Sequence, residues 1–213
     1  MRLYMRPIAP NAIKVLIFMA ERGITLDTID VGMLGEAEYR RISPLGQVPV
    51  LETDTGLFVS ESLTICQYLD AVAEGPSLFG EGLDERTLVA MWERRAELMV
   101  MSPAIEYGHH CQPMFTGALR QFPDWARENL AQSGKLLALM EERLAESRFL
   151  AADRFTMADL TAFLGLTGLV GWGAIAARPG PALGRWIGEV GGRPSMAPLH
   201  ALAAQFGLPM PGA

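Results

Sequence analysis

Cysteine and histidine are scarce in this chain of 213 residues, at two and three copies. Cys66 and Cys111 form no Cys-x-x-Cys pair, which argues against a redox dithiol and against a zinc knuckle. With His109, His110 and His200 as the remaining soft ligands, no metal site is expected. Basic runs are missing as well. No stretch of Lys or Arg exceeds two residues (Arg40-Arg41 and Arg94-Arg95), and the net charge is -6. Phosphate backbones are therefore repelled on average, and no nucleic-acid partner is expected. The opening MRLYMRPIAP lacks the long apolar stretch of a secretory signal, so the reading is a reduced, cytoplasmic protein.

One long uncharged run does occur, from Leu160 to Ala177. It reaches the lower length limit of a membrane span. Four glycines (Gly165, Gly168, Gly171 and Gly173) crowd its second half, Asp159 and Arg178 close it, and no basic cluster flanks it. It reads as a buried helix followed by an apolar turn, so no membrane partner is expected. What the chain has in quantity is apolar side chain, at 50% hydrophobic against 20% charged. That excludes disorder. A chain of this size buries roughly 70% of its unfolded surface without disulfide or metal staples.

The pattern changes character near residue 80. Before it, short apolar runs alternate with helical patterns. Arg2 to Met5 reads as a strand. Pro10-Asn11 opens a helix with Ile13, Leu16, Ile17 and Ala20 on its apolar face, and Gly23 ends it. Thr25 to Val31 alternates with period two as a strand, and Gly35 to Ile42 is a short charged helix. Val48 to Glu52, a turn at Thr53–Gly56 and Leu57 to Val59 form a hairpin. Ser60-Glu61-Ser62 caps a helix running to about Ala73. The first strand–helix–strand unit implies a parallel pair and the tight turn an antiparallel one. The Gly- and Pro-rich stretch from Glu74 to Asp84 marks a linker. Beyond it no strand pattern survives. A long helical stretch runs from Asp84 to about Phe115 with a bend expected at Pro103. A second spans Pro123 to Ser147 with Leu130, Leu137, Met140 and Leu144 on one face. Thr156 and Asp159 have the capping-box form before the apolar run. Shorter helices cover Leu183–Val190 and Met196–Phe206, and a loose tail follows Gly207. The chain thus divides into a small α/β domain over 1–77, a linker over 78–84 and an all-α domain over 85–213.

Three segments can carry chemistry. In Gly46-Gln47-Val48-Pro49, proline sits at the entry to a strand, and a cis Val48–Pro49 bond would present the Val48 backbone to an outside peptide. In Val59-Ser60-Glu61-Ser62, a serine at a helix start suits an anion, and the adjacent Glu61 carboxylate suits an ammonium. Together they fit an amino-acid terminus, or else Ser62 simply caps the helix. In Ala9-Pro10-Asn11, proline is ordinary helix-start grammar. Asn11 is either structural or a donor to a thiolate held over the helix N-terminus.

Four stretches, LYMRPIAPNAIKVLIFMAERGI, EYRRISPLGQVPVLE, GLFVSESLTICQYLD and RFTMADLTAFLG, in this order, resemble the cytosolic glutathione transferases along nearly the whole chain. The resemblance implies a thioredoxin-like N-terminal domain, an all-helical C-terminal domain and a homodimer. It implies glutathione as co-substrate, no metal, and a small hydrophobic electrophile as second substrate, in the family's detoxification chemistry. Pro49 would be the cis proline, with Val48 pairing with the cysteinyl backbone of glutathione. Gln47 would lie near the glycyl half, and Glu61 and Ser62 would hold the γ-glutamyl end. The capping box at Thr156 and Asp159 would serve folding.

The departure falls at the sulfur. Ala9 occupies the position of the activating serine, which leaves Asn11 as the nearest candidate donor and hence the candidate catalytic residue. Tyr4 lies close to the place of the tyrosine used by other members, although a strand tyrosine more often packs. The second-substrate pocket would draw on Arg6, Ala9, Ala104, Tyr107, Gly108 and Cys111. Helical spacing puts Tyr107, Cys111, Met114 and Phe115 on one face, as pocket or as core. Of the two adjacent histidines, His110 is the one placed to reach the cleft and His109 the one read as solvated. Conjugation, peroxide reduction, lyase and dehalogenase reactions all use the same thiolate. The absent serine also leaves open a noncatalytic glutathione or apolar-ligand binder, or a dimer with a vestigial site.

Overall fold

The computed structural model describes residues 1–176 and 179–212. Ala177 and Arg178, at the close of the uncharged run, and Ala213 of the tail lie outside the described residues. The N-terminal part is a four-stranded mixed sheet flanked by helices. Strand β1 (Arg2–Met5) pairs in parallel with β2 (Asp27–Asp30) and antiparallel with β3 (Val50–Glu52). β4 (Phe58–Val59) completes the order β2-β1-β3-β4. Alternation along β1 serves two cores. Leu3 and Met5 join the main one, and Tyr4 joins Val31, Tyr39 and Val50 on the other face of the sheet.

Two strands are shorter than the sequence pattern suggests. β3 begins at Val50 rather than Val48, because Pro49 offers no N–H to the ladder. β2 ends at Asp30, whose carboxylate accepts from Gly32 N–H at 2.8 Å and turns the chain into a 3₁₀ turn at Val31–Met33. Helix α1 (Pro10–Glu21) starts with proline in its first turn and ends before Gly23 at φ +65. α2 (Glu36–Ile42) and α3 (Ser62–Val72) follow.

The second part is helical. α4 (Gly82–Ala96) starts inside the segment read as linker, where Glu85 Oε2 accepts from Glu81 N–H at 2.8 Å and fixes the first turn. A π-helical turn at Glu97–Met101 joins α4 to α5 (Ser102–Cys111), with helical dihedrals through both junctions. The wider turn takes up the missing Pro103 N–H, so the irregularity lies just before the proline and the helix carries on. Next come α6 (Pro123–Glu146), α7 (Met157–Gly171), α8 (Pro181–Gly191) and α9 (Ala197–Phe206). α6 buries Ala126, Ser133, Leu136, Met140 and Leu144, with Leu130 and Leu137 half-buried at the margin.

α7 holds the core of the helical part and is buried on nearly every side. No helix among the described residues is long and apolar enough to cross a membrane. Asp159 organises its start. The buried carboxylate accepts from Thr156 N–H (3.0 Å), Leu150 N–H (3.0 Å) and Trp186 Nε1 (2.9 Å), and from the Thr156 hydroxyl. Burial raises its pKa, against the pull of these donors. α1 packs on α3 and also against α7 and α9, so it is shared between both parts of the molecule. Met157 N–H donates to Leu78 O at 2.9 Å, Arg154 pairs with Glu85 at 2.9 Å, and Arg193 pairs with Glu21 of α1.

Candidate functional site

The first turn of α1 follows a tight turn in which Ala9 N–H donates to Arg6 O at 3.0 Å. Ala9 is the N-cap residue, and no side chain caps the helix. Pro10 carries no N–H, and the Ala12 and Ile13 N–H groups both donate to Ala9 O, at 2.9 and 3.0 Å, so the Asn11 N–H is the donor of the first turn left for an outside acceptor. Asn11, half-buried, occupies the second position of this helix.

α3 starts beside it. The chain leaves β4 through exposed Ser60 and reaches Glu61, whose φ of 68 is the one positive value at a non-glycine among the described residues. Such a backbone costs about 1–3 kcal/mol and persists where its surroundings hold it. Glu61 is the N-cap, and its side chain makes no cap hydrogen bond. Ser62 therefore does not cap the helix, as one reading of the triplet had it. It is the first helical residue, buried, and its hydroxyl donates to Asn11 Oδ1 at 3.2 Å. This bond joins the N-termini of α1 and α3. The exposed Glu61 carboxylate, the N–H groups at the start of α3 and the Asn11 N–H of α1 stand at one junction, which favours an anion beside an ammonium.

The Val48–Pro49 bond is cis, as the resemblance implied. Pro49 is buried, Val48 half-buried and Gln47 exposed. The sequence reading missed what holds this loop. The Tyr39 hydroxyl (2.6 Å) and the Ser43 hydroxyl (2.9 Å) both donate to Gln47 O. Burial raises the Tyr39 phenol, and the Ser43 bond and the Arg6 charge oppose the shift. A tyrosine amid charged residues in a short helix was the one hint available. Tyr4 is committed elsewhere. Its hydroxyl donates to Glu52 Oε2 at 2.9 Å, its ring meets Phe58 edge-on, and burial followed by the Glu52 bond raises its pKa.

The second-substrate residues do not form one lining. Arg6 is exposed and Ala9 half-buried, both at the start of α1. Ala104 is 2% exposed and packs towards Gly168 of α7, so it belongs to the core. Gly108 is buried under the Trp172 indole, where a Cβ would stand 2.8 Å from Nε1. Tyr107 and Cys111 remain half-buried, and the Cys111 thiol lies 3.8 Å from Pro123 O. α5 ends at Cys111, so helical spacing does not extend to Met114 and Phe115. They sit in a separate 3₁₀ turn. Phe115 packs edge-on against His109, which is half-buried rather than solvated. His110 lies 3.2 Å from Glu106 and packs between Phe122 and Trp125. Among the described residues no group of three His, Cys, Asp or Glu side chains is arranged to hold a metal.

Residues 8–72, from the turn just before α1 to the end of α3, match the family model of the glutathione S-transferase N-terminal domain. The chain is 30% identical over 174 residues to glutathione S-transferase 2 of Saccharomyces cerevisiae, covering 78% of this chain and 75% of that one. It is 27% identical over 219 residues to glutathione S-transferase F12 of Arabidopsis thaliana, covering 95% and 98%. Among solved structures, a glutathione S-transferase domain-containing protein of Marinobacter aquaeolei superposes with a TM-score of 0.82 at 35% identity, over 92% of this chain and all of that one. Gtt2 of Saccharomyces cerevisiae gives 0.82 at 28% identity, over 93% and 100%. The strained residue before a buried serine, the cis proline ahead of β3 and the helical second part thus sit in a chain that belongs to the glutathione S-transferase family.

Proposed function

We propose that this protein binds glutathione through its N-terminal part and uses the thiolate on a small hydrophobic electrophile. The observation that carries the reading is the joined N-termini of α1 and α3, bridged by Ser62 and Asn11 at 3.2 Å. In this reading the γ-glutamyl end lies at Glu61 and Ser62, with the ammonium on the carboxylate and the carboxylate on the α3 N–H groups. The Val48 backbone pairs with the cysteinyl residue, and Gln47 borders the glycyl half. The sulfur then lies over the first turn of α1, where the helix dipole, the Asn11 N–H and the Asn11 side-chain amide lower its pKa. Arg6, Ala9, Tyr107 and Cys111 stand nearest the second substrate, and Ala104 and Gly108 support them from the core.

The protein acts in the cytoplasm as a homodimer. Helix α4 supports the dimer, because it carries a second apolar face beyond its buried one, with Leu88 and Met91 exposed and Leu98 continuing it in the π-turn. Leu57 and Phe58 are exposed on and beside β4. Ala9 favours one other reading, a glutathione or apolar-ligand binder without turnover, since no hydroxyl faces the sulfur from that position. Glutathione affinity, the pKa of the bound thiol and turnover of a generic electrophile decide between them. The proposal expects binding, a lowered pKa and turnover. Binding with an ordinary pKa and no turnover gives the noncatalytic reading.

A further inference from the structure

Three helices of the second part each place a pair of side chains at i, i+4 spacing on one cavity: Leu137 and Glu141 of α6, Leu166 and Val170 of α7, Leu183 and Ile187 of α8. That spacing puts both members of a pair on the same face of their helix. The cavity they enclose measures about 240 Å³. Helix α7 separates it from α5. Gly165 and Gly168 face Met101 and Ala104, and Leu166 and Val170 stand on the opposite side of the helix. Among the described residues, no part of the lining comes from the sheet, α1, α3 or α5.

The wall is apolar with one exception. Among the described residues, Glu141 has the single polar side chain of the lining. Its two oxygens accept from Ala182 N–H (3.0 Å) and Leu183 N–H (2.8 Å) at the start of α8. Pro181 has no N–H, and Gly184 N–H donates to Gly180 O at 2.8 Å. The donors of that first turn are therefore spent, and the charge of Glu141 is set against the α8 dipole. An entering anion would meet a carboxylate and find no donor of that turn in exchange for its water. The space is too small for a helix, which is about 10 Å across. It exceeds the roughly 150 Å³ that, lined by Leu and Ile side chains, takes up benzene.

We propose that this cavity is a second ligand site, across α7 from the glutathione junction, and that it takes a small uncharged apolar molecule of one or two rings. The site holds its ligand by burial alone. No thiolate reaches it, so the ligand is bound and not turned over there.

The test uses the full chain without glutathione, with toluene as the probe and benzoate as its charged counterpart. Methyl NMR follows Leu137, Leu166, Val170, Leu183 and Ile187 while calorimetry gives the dissociation constant. Toluene should shift these methyl signals saturably with a dissociation constant of about 0.1–1 mM, the range open to a ligand of that size. Benzoate should bind roughly tenfold more weakly or not at all, since its charge would lose water. Val170→Phe fills the cavity and should abolish toluene binding. Where Val170→Phe does not fold, the methyl shifts of the wild type decide alone. Toluene that does not bind, that moves other methyl groups and leaves these five in place, or that binds Val170→Phe as well as the wild type overturns the proposal. Benzoate bound as tightly as toluene overturns the ligand class. None of these outcomes depends on whether the protein binds glutathione.

Discussion

At the scale of single residues, the site is built from positions that a stable fold would not choose. Glu61 holds φ at 68 without glycine. Glu61→Gly should stabilise the folded protein by about 1 kcal/mol by releasing that strain. It should weaken glutathione binding at the same time, because the carboxylate facing the ammonium is gone. Thermal melting and calorimetric titration on one preparation read both, and a variant that melts lower contradicts the strain argument. Ala9 presents a second such case, an N-cap with no capping side chain. Ala9→Ser should raise stability by about 0.5–2 kcal/mol, since serine is a favoured N-cap. An unchanged melting temperature would mean that the added hydroxyl faces away from the α1 N–H groups.

At the scale of elements, most of the N-terminal part is legible in the sequence because its signals are local. β1 between Arg2 and Met5, the Pro10 start of α1, the Gly23 stop and the Thr156–Asp159 cap each depend on a few neighbouring residues. The cis bond at Pro49 is legible through the family resemblance, since a proline at a strand entry is otherwise trans as a rule. What sequence alone does not reveal is long-range. The Ser62–Asn11 bond, the two hydroxyls on Gln47 O and the Trp172 indole over Gly108 each join separate elements. The π-turn before Pro103 is of the same kind, set against α7 where Gly165 permits contact. A Cβ at Gly165 would lie 2.7 Å from Met101 N and 2.8 Å from its Cα. Because those atoms are backbone, Gly165→Ala should cost about 1–3 kcal/mol, the usual penalty of overpacking. Chemical denaturation checks it, and a neutral result would show that α4 and α5 can shift away from α7.

At the scale of the whole molecule, the two parts are sewn together around α1, partly by charge. Lys14 of α1 is fully buried, and its Nζ finds no hydrogen-bond partner among the described residues. Facing this junction from α4 is buried Glu93, which accepts from Thr161 of α7 at 3.2 Å. Burial lifts the Glu93 carboxyl from 4.5 to about 7, with Lys14 opposing the shift and Glu97 adding to it. The folded protein therefore binds this proton more tightly than the unfolded chain does. The contribution to stability is full below the unfolded pKa and is lost as pH rises through the folded one. Stability should fall between roughly pH 5 and pH 7.5, and Glu93→Gln should flatten that slope. Melting curves across the range decide it, and an unchanged slope in Glu93→Gln assigns the proton elsewhere. Beyond this junction, the account stands on what happens to a sulfur over the first turn of α1. The most direct test is the titration of the thiol of glutathione bound to the wild-type protein. The account predicts a pKa clearly below the ordinary thiol value of about 8.5. A bound thiol that titrates at that ordinary value, or a protein that does not bind glutathione, would contradict it.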